Sequence, residues 1–276
     1  MYTTLFADVN LARRMENLDA VGGAEYARTH ALLFPQSDAT SIAVAGGRAT
    51  FAGIESPITQ AFALGMHGKV TAIEIDELEE FYRSRRAPVN IEVCPLADAS
   101  LVELLAARGY KPIEFSNVLV RALLLDETNA SEAGQRDVHA RLATPNEAEA
   151  WAQAAARGLM ETSDVPPPMR DLFTTIFHTS GTHCFVAEQD GVIIGGGSMN
   201  IRDGIAALAG ASMLPAYRKR GAQGALLDYR LQFAMKHDCE LATVATLPGS
   251  ASQRNAERNG FRVAYTRTKW LRQWAS

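Results

Sequence analysis

Residues 205–237 read IAALAGASMLPAYRKRGAQGALLDYRLQFAMKH, and this stretch decides how the chain is read. Residues 205–214 are small and apolar and are expected as a buried strand that Pro215 stops. The chain then turns through Tyr217-Arg218-Lys219-Arg220-Gly221-Ala222-Gln223-Gly224. Beyond the turn, Leu227, Leu231, Ala234 and Met235 fall at i, i+4, i+7 and i+8, which predicts a helix over 224–237 with one buried stripe. The first N–H groups of a helix have no internal partner and carry positive partial charge. Gly221 and Gly224 let backbone approach a ligand closely, and three consecutive cations flank the turn. An isolated RKRG reads first as a solvated basic loop. Its place between a strand and an amphipathic helix favours a pyrophosphate-sized anion. The P-loop spacing is absent. Gly195-Gly196-Gly197 does not complete a dinucleotide fingerprint, because Asn200 stands at the sixth position; those glycines are expected as a bulge or a close backbone approach in a strand.

Upstream of this stretch, Thr144 is expected to cap an Ala-rich helix over 145–158 that opens on Pro145. Residues 159–168, with Pro166-Pro167-Pro168, are expected as a loop, and 169–178 as a second helix. HCFVAEQ and VIIGGGSMNI flank Asp190-Gly191, a hairpin signal. LATVATL (241–247) returns as a strand. The order α-α-β-β-β-α-β-α-β implies a mixed sheet with helices packed on it. Residues 126–137, DETNASEAGQRD, are polar and read as a linker.

The regions on either side of the linker end alike. LVELLAARGYKPIEFSNVLVRAL and SQRNAERNGFRVAYTRTKWLRQW each run helix, Gly-aromatic, strand, with an Arg (Arg121, Arg272) twelve residues after the Gly. Each follows a short β-like run ending at a proline, VNIEVCP and LATVATLP, so the chain reads as an internal duplication.

Composition is ordinary for a globular protein of 276 residues and net charge −4, which excludes a bulk nucleic-acid or membrane binder. Residues 1–126 hold 11 Lys and Arg against 16 Asp and Glu, the rest 16 against 15, so the second region is the better home for an anion. Cys94, Cys184 and Cys239 show no CxxC spacing; buried free thiols are expected, with no disulfide framework and no metal. The N-terminus lacks a signal-peptide core and no run of 18 apolar residues exists, so a cytoplasmic chain without a membrane partner is expected.

The turn resembles the signature of the GCN5-related N-acetyltransferase (GNAT) family, [Q/R]xxGx[G/A], here Arg218-Lys219-Arg220-Gly221-Ala222-Gln223 within LPAYRKRGAQGALL. The resemblance spans about 138–276, including Gly260-Phe261. It implies an α/β (α+β) fold of two tandem GNAT-like domains, each a mixed, largely antiparallel twisted sheet flanked by helices. Residues 1–125 would be a degenerate copy, since Gly65-Met66-His67-Gly68-Lys69-Val70 lacks the Arg-x-x-Gly core. Residues 138–276 would bind acetyl-CoA through Ser212, Met213, Leu214, Arg218, Lys219, Arg220, Gly221, Ala222, Gln223, Gly224 and Ala225, with Thr246, Ser252 and Asn255 further along. The strand before the turn would pair with the pantetheine arm, and the main-chain N–H of Met213 or Leu214 would polarise the thioester carbonyl.

The implied activity is direct acetyl transfer to the amine of a small-molecule or amino-acid-like acceptor, by a monomer or homodimer; the alternative is a non-catalytic acyl-CoA sensor. Two departures stand out. Gln223 occupies a position usually held by Gly or Ala, and Ala256 stands where the family often carries a Tyr acid. Tyr265 and Glu161 are nominated as acid and base, with Asp164, Glu188 and His183 as further candidates; each also has an ordinary reading as a core tyrosine, a loop charge or a hairpin side chain. Ser250 and Ser252 read either as helix caps or as contacts to the thiol end. The first domain is expected to shape the acceptor cleft, with Glu55 in Phe51–Pro57 as a contact.

Overall fold

The computed structural model describes residues 6–123 and 138–274, so the expected linker at 126–137 lies outside the described residues. The first part runs α1 (Val9–Leu33), β1 (Thr40–Val44), β2 (Gly47–Phe51), β3 (Gln60–Phe62), α2 (Ala72–Arg83), β4 (Val89–Val93), α3 (Ala99–Ala107) and β5 (Lys111–Ala122). The second part runs β6 (Val138–Leu142), α4 (Ala148–Met160), α5 (Pro167–His178), β7 (Thr182–Gln189), β8 (Val192–Arg202), β9 (Ile205–Met213), α6 (Ala222–Lys236), β10 (Leu241–Thr246), α7 (Ala251–Arg258) and β11 (Arg262–Arg272). Among the described residues no helix is long and apolar enough to cross a membrane.

The chain packs as two units, Met1–Val120 with Ala245–Ser276, and Arg121–Val244. The first unit thus takes α7 and β11 from the far end of the sequence. Its strands run in the order β1-β2-β3-β4-β11-β5. β11 lies antiparallel between β4 and β5, with Trp270 opposite Ile91 on one side and Thr268 opposite Phe115 on the other. The two motifs that end the sequence regions alike therefore finish as neighbouring strands. Gly109 and Gly260 close their helices at φ +78° and +83°, the left-handed backbone a helix stop favours. The aromatics that follow them, Tyr110 and Phe261, are buried.

α1 was not anticipated from sequence. Asp8 caps it by accepting from Leu11 N at 2.8 Å. Its Glu16 is fully buried against β11, taking Tyr265 Oη at 2.7 Å and Arg267 Nε at 2.7 Å. The three cysteines are free and buried, and burial pushes the Cys94 and Cys184 thiols up to about 12.

In the second unit the strands run β10-β9-β8-β7-β6. The Asp190-Gly191 turn joins β7 to β8 with φ +52° and +76°, as a tight two-residue hairpin requires. β6 is an edge strand that the sequence reading missed. Arg141 on it bridges to Glu147 (2.7 Å) and Glu188 (2.5 Å). The helix expected over 145–158 opens as a 3-10 turn, Pro145–Glu147, under a Thr144–Glu147 capping box, and runs on to Met160. The segment expected as loop over 159–168 is shorter than that, because α5 begins on Pro167-Pro168. A proline in the first turn loses no hydrogen bond, since those N–H groups have no helical acceptor.

Candidate functional site

The three glycines of β8 are places of close approach. A Cβ on Gly195 would meet Met213 Sδ at 2.3 Å, and one on Gly196 would meet Trp151 Nε1 at 2.7 Å. Trp151 is fully buried on α4, and its indole N–H donates to Phe185 O at 2.9 Å. Gly158, also on α4, brings that helix against β9; a Cβ there would meet Ser212 Oγ at 2.9 Å and the Met213 backbone at 3.0 Å. Ser212 Oγ donates to Ala155 O at 2.7 Å. α4 therefore holds one face of the strand that leads into the turn.

β9 is paired unequally on its two edges. Against β8 it pairs along its whole length, from Arg202↔Ile205 to Gly195↔Met213. Against β10 the parallel pairing covers only Ile205–Ala207 with Leu241–Thr243. Leu208 to Met213 have no strand partner on that side among the described pairings. The β8 pairing carries a shift: Gly196 faces Ser212, but Ser198 faces Ala209, so Gly210 and Ala211 together oppose Gly197. Gly210 has φ +59°. This is a β-bulge on β9.

The bulge decides which amide faces the free edge. Leu214 N donates to Ile194 O at 2.9 Å, so the Leu214 N–H is spent on β8. Alternation along a strand then turns the N–H and C=O of Met213 the other way. Of the two amides expected to polarise a carbonyl, Met213 is the one on the free side and Leu214 is occupied.

Past Pro215 the chain makes a 3-10 turn and enters α6 at Ala222, two residues before the expected start. The N-cap is Gly221 at φ +83°, with no side-chain cap. Among the described hydrogen bonds the first helical N–H with an acceptor is that of Ala225, to Gly221 O at 3.0 Å. The N–H groups of Ala222, Gln223 and Gly224 stand open, and the space over Gly221 and Gly224 holds no atom within 4 Å of an added Cβ. The corresponding helix start in the first unit is closed. Thr71 caps α2 and Glu74 caps back, placing a carboxylate where an anion would sit, while Val70 N donates to Ser100 Oγ at 2.8 Å.

The three cations of the turn divide. Arg218 is exposed but folded back onto the chain: its guanidinium donates to Met213 O (3.2 Å), Gly158 O (2.8 Å) and Glu161 Oε1 (2.6 Å). Lys219 is exposed, at φ +61°, and Arg220 lies over the Tyr217 ring. On α6 itself Leu226, Leu227, Leu231 and Ala234 are buried as the stripe requires, Met235 is half-buried, and Arg230 is buried as well. Arg230 carries no sequence signal that would mark it as a core residue.

The remaining nominated residues fall elsewhere. Glu161, at the C-terminus of α4, is paired with Arg218. Glu188 is held by Arg141, and His183 packs beside Phe233 and His237, its pKa lowered by partial burial. Asp164 and Glu55 are exposed loop residues. Thr246, Ser252, Asn255 and Tyr265 belong to the first unit. Thr246 Oγ1 is buried without a hydrogen-bond partner among the described residues. Ser250 caps α7, accepting from Gln253 N at 3.1 Å, whereas Ser252 is exposed. Tyr265 Oη is given to Glu16, and burial together with that carboxylate raises its pKa.

Residues 148–261 match the family model described as "Acetyltransferase (GNAT) family". This segment is a GNAT domain. The fold extends over the whole chain. A GCN5-related N-acetyltransferase from Kribbella flavida is 17% identical, covering 95% of this chain and 97% of its own, with a TM-score of 0.63. A tandem GNAT protein from the clavulanic acid biosynthesis pathway is 16% identical over 99% of this chain and 98% of its own, also at 0.63. A GCN5-related N-acetyltransferase from Sphaerobacter thermophilus reaches 0.56 at 14% identity, over 77% and 71%. No curated protein sequence matches the chain. The chain thus shares the fold of these proteins, and the family match itself lies in residues 148–261.

Proposed function

We propose that the protein is an acetyltransferase that takes acetyl-CoA in its second unit and passes the acetyl group directly to the amine of a small acceptor. The observation that carries this is the uncapped start of α6: three adjacent N–H groups, Ala222 to Gly224, without an acceptor among the described hydrogen bonds, beside open space at Gly221 and Gly224. A pyrophosphate supplies the acceptors they lack. Gln223 fits, because its N–H is a donor like any other and its side chain is exposed. The free edge of β9 offers main-chain groups to an extended pantetheine arm, and the Met213 N–H, pointing to that edge, is the donor for the thioester oxygen. Arg218 keeps strand, turn and α4 in one geometry, which is where positioning contributes to rate.

Acetyl-CoA supplies the activated acyl group. A neutral amine forms the C–N bond, the C–S bond breaks, and the amine proton ends on the thiol. The nominated acid and base, Tyr265 and Glu161, are each hydrogen-bonded to a protein partner, so transfer of that proton through water is the simpler route. Thiol release from acetyl-CoA with a panel of amines, amino acids and aminoglycosides tests the reading. Saturable CoA binding by calorimetry with thiol release for one acceptor class is expected. Binding without release for any acceptor would make the protein an acyl-CoA sensor, and no binding would remove the cofactor.

A further inference from the structure

Arg230, on α6, is a buried arginine in the second unit. It projects from α6 into the space between the helix and the β8–β9 bulge and is 4% exposed. Among the described residues no carboxylate faces it; burial lowers its pKa to about 10, with no opposite charge among them to offset that. Its partners are carbonyls: Ser198 O at 3.3 Å, Ala209 O at 3.4 Å and Leu226 O at 3.4 Å. Ser198 and Ala209 form the last regular pair before the bulge. Gly197, the residue the bulge opposes, is where the guanidinium fits: a Cβ there would lie 3.1 Å from Nη1 and 3.3 Å from Cζ. A buried cation without a counter-charge is a cost to folding, and an apolar residue of similar size is usually tolerated better.

The bulge has a definite consequence for the site. Continued without the extra residue, the register Ser198↔Ala209 would bring Met213 opposite Ile194, and the N–H now given by Leu214 to Ile194 O would be that of Met213. One residue of slip thus exchanges the amide that faces β8 for the amide that faces the free edge.

We propose that Arg230 is a positioning residue that locks the bulge at Gly210-Ala211 and so sets Met213, rather than Leu214, as the amide presented to the acyl-pantetheine arm. This rests on the acetyl-CoA reading. It predicts that the residue is kept at a cost in stability and affects only the arm, not the phosphate cradle. The test uses the full chain with two ligands, acetyl-CoA and 3′-phospho-ADP, which has the phosphates but no arm. In Arg230→Met, affinity for acetyl-CoA is expected to fall about tenfold, the scale of one or two main-chain hydrogen bonds, with less than about a twofold change for 3′-phospho-ADP. The Tm is expected to stay level or rise. Arg230→Lys, which keeps the charge but not the forked donor, is expected to lie between wild type and Met for acetyl-CoA.

Equal weakening of both ligands in Arg230→Met, or unchanged acetyl-CoA affinity, overturns the proposal. So does a Met variant that fails to fold beside a Lys variant that binds as wild type does, since Arg230 would then be merely structural. Wild-type protein that binds neither ligand overturns the acetyl-CoA reading and this inference with it; wild type binding both while Arg230→Met loses neither overturns this inference alone.

Discussion

Gly221 has both properties the proposed phosphate cradle needs, a φ of +83° and open space over its Cα. Substitution separates them. Gly221→Ala adds only the left-handed strain, about 1 kcal/mol, and is expected to weaken CoA binding several-fold at most. Gly221→Asp adds a carboxylate among open N–H groups and is expected to weaken CoA by about a hundredfold. Equal affinities for the two variants by calorimetry would move the phosphate site away from this turn. The sequence placed a turn before the helix at Gly221, where the structure has φ +83°. It did not mark Arg230, since an arginine on an amphipathic helix is ordinarily solvated and only the Gly197 gap and the bulge carbonyls give it a place. Nor did it choose between Met213 and Leu214, because local sequence does not reveal where a strand slips by one residue.

Among the elements, the contrast between the starts of α2 and α6 follows from short local rules. Thr71 and Glu74 form a capping box that closes α2, while α6 begins on a glycine with no cap. Both are readable in sequence once the helix starts are known. Starts at proline are harder; α5 begins inside a proline run that reads as loop. The edge strand β6 is short, and it is secured by Arg141 reaching the N-terminal turn before α4 and β7. Beside Arg141, Glu147 titrates near 2 instead of its ordinary 4.5. Because the fold favours the charged form, this stabilisation is present above about 4.5 and is lost as pH falls through about 2. Glu147→Gln is expected to cost about 1 kcal/mol at neutral pH, given its partial exposure. Chemical denaturation from pH 7 to pH 2 should show the gap to wild type closing with acid; a constant gap would mean that the pair contributes nothing.

For the whole molecule, the decisive fact is that β11 completes the first unit. It fills the place between β4 and β5 and brings Arg267 and Tyr265 to the buried Glu16. A chain ending at Gly260 leaves two strands without their shared partner and a buried carboxylate without its cation, a loss of about 3–5 kcal/mol for the ion pair alone. Amides of 89–93 and 111–120 are expected to lose hydrogen-exchange protection in that truncation. Retained protection would show that β4 and β5 close on each other without β11.

The sequence by itself determined the GNAT resemblance, the strand–turn–helix around Gly221, the hairpin and the repeated helix–glycine–aromatic–strand ending, because each depends on contacts between residues close in the chain. Only the tertiary structure decided that the two repeated endings pair with each other, that Arg218 anchors rather than projects, and that a bulge turns Met213 to the free edge. Those outcomes depend on which strand edges and buried charges meet across as many as 251 positions, as Glu16 and Arg267 do, and such pairings leave no local pattern to read. The turn from Arg218 to Ala225 was legible as a strand-to-helix turn, and we propose it for phosphate; how the strand before it presents its amides was decided by packing.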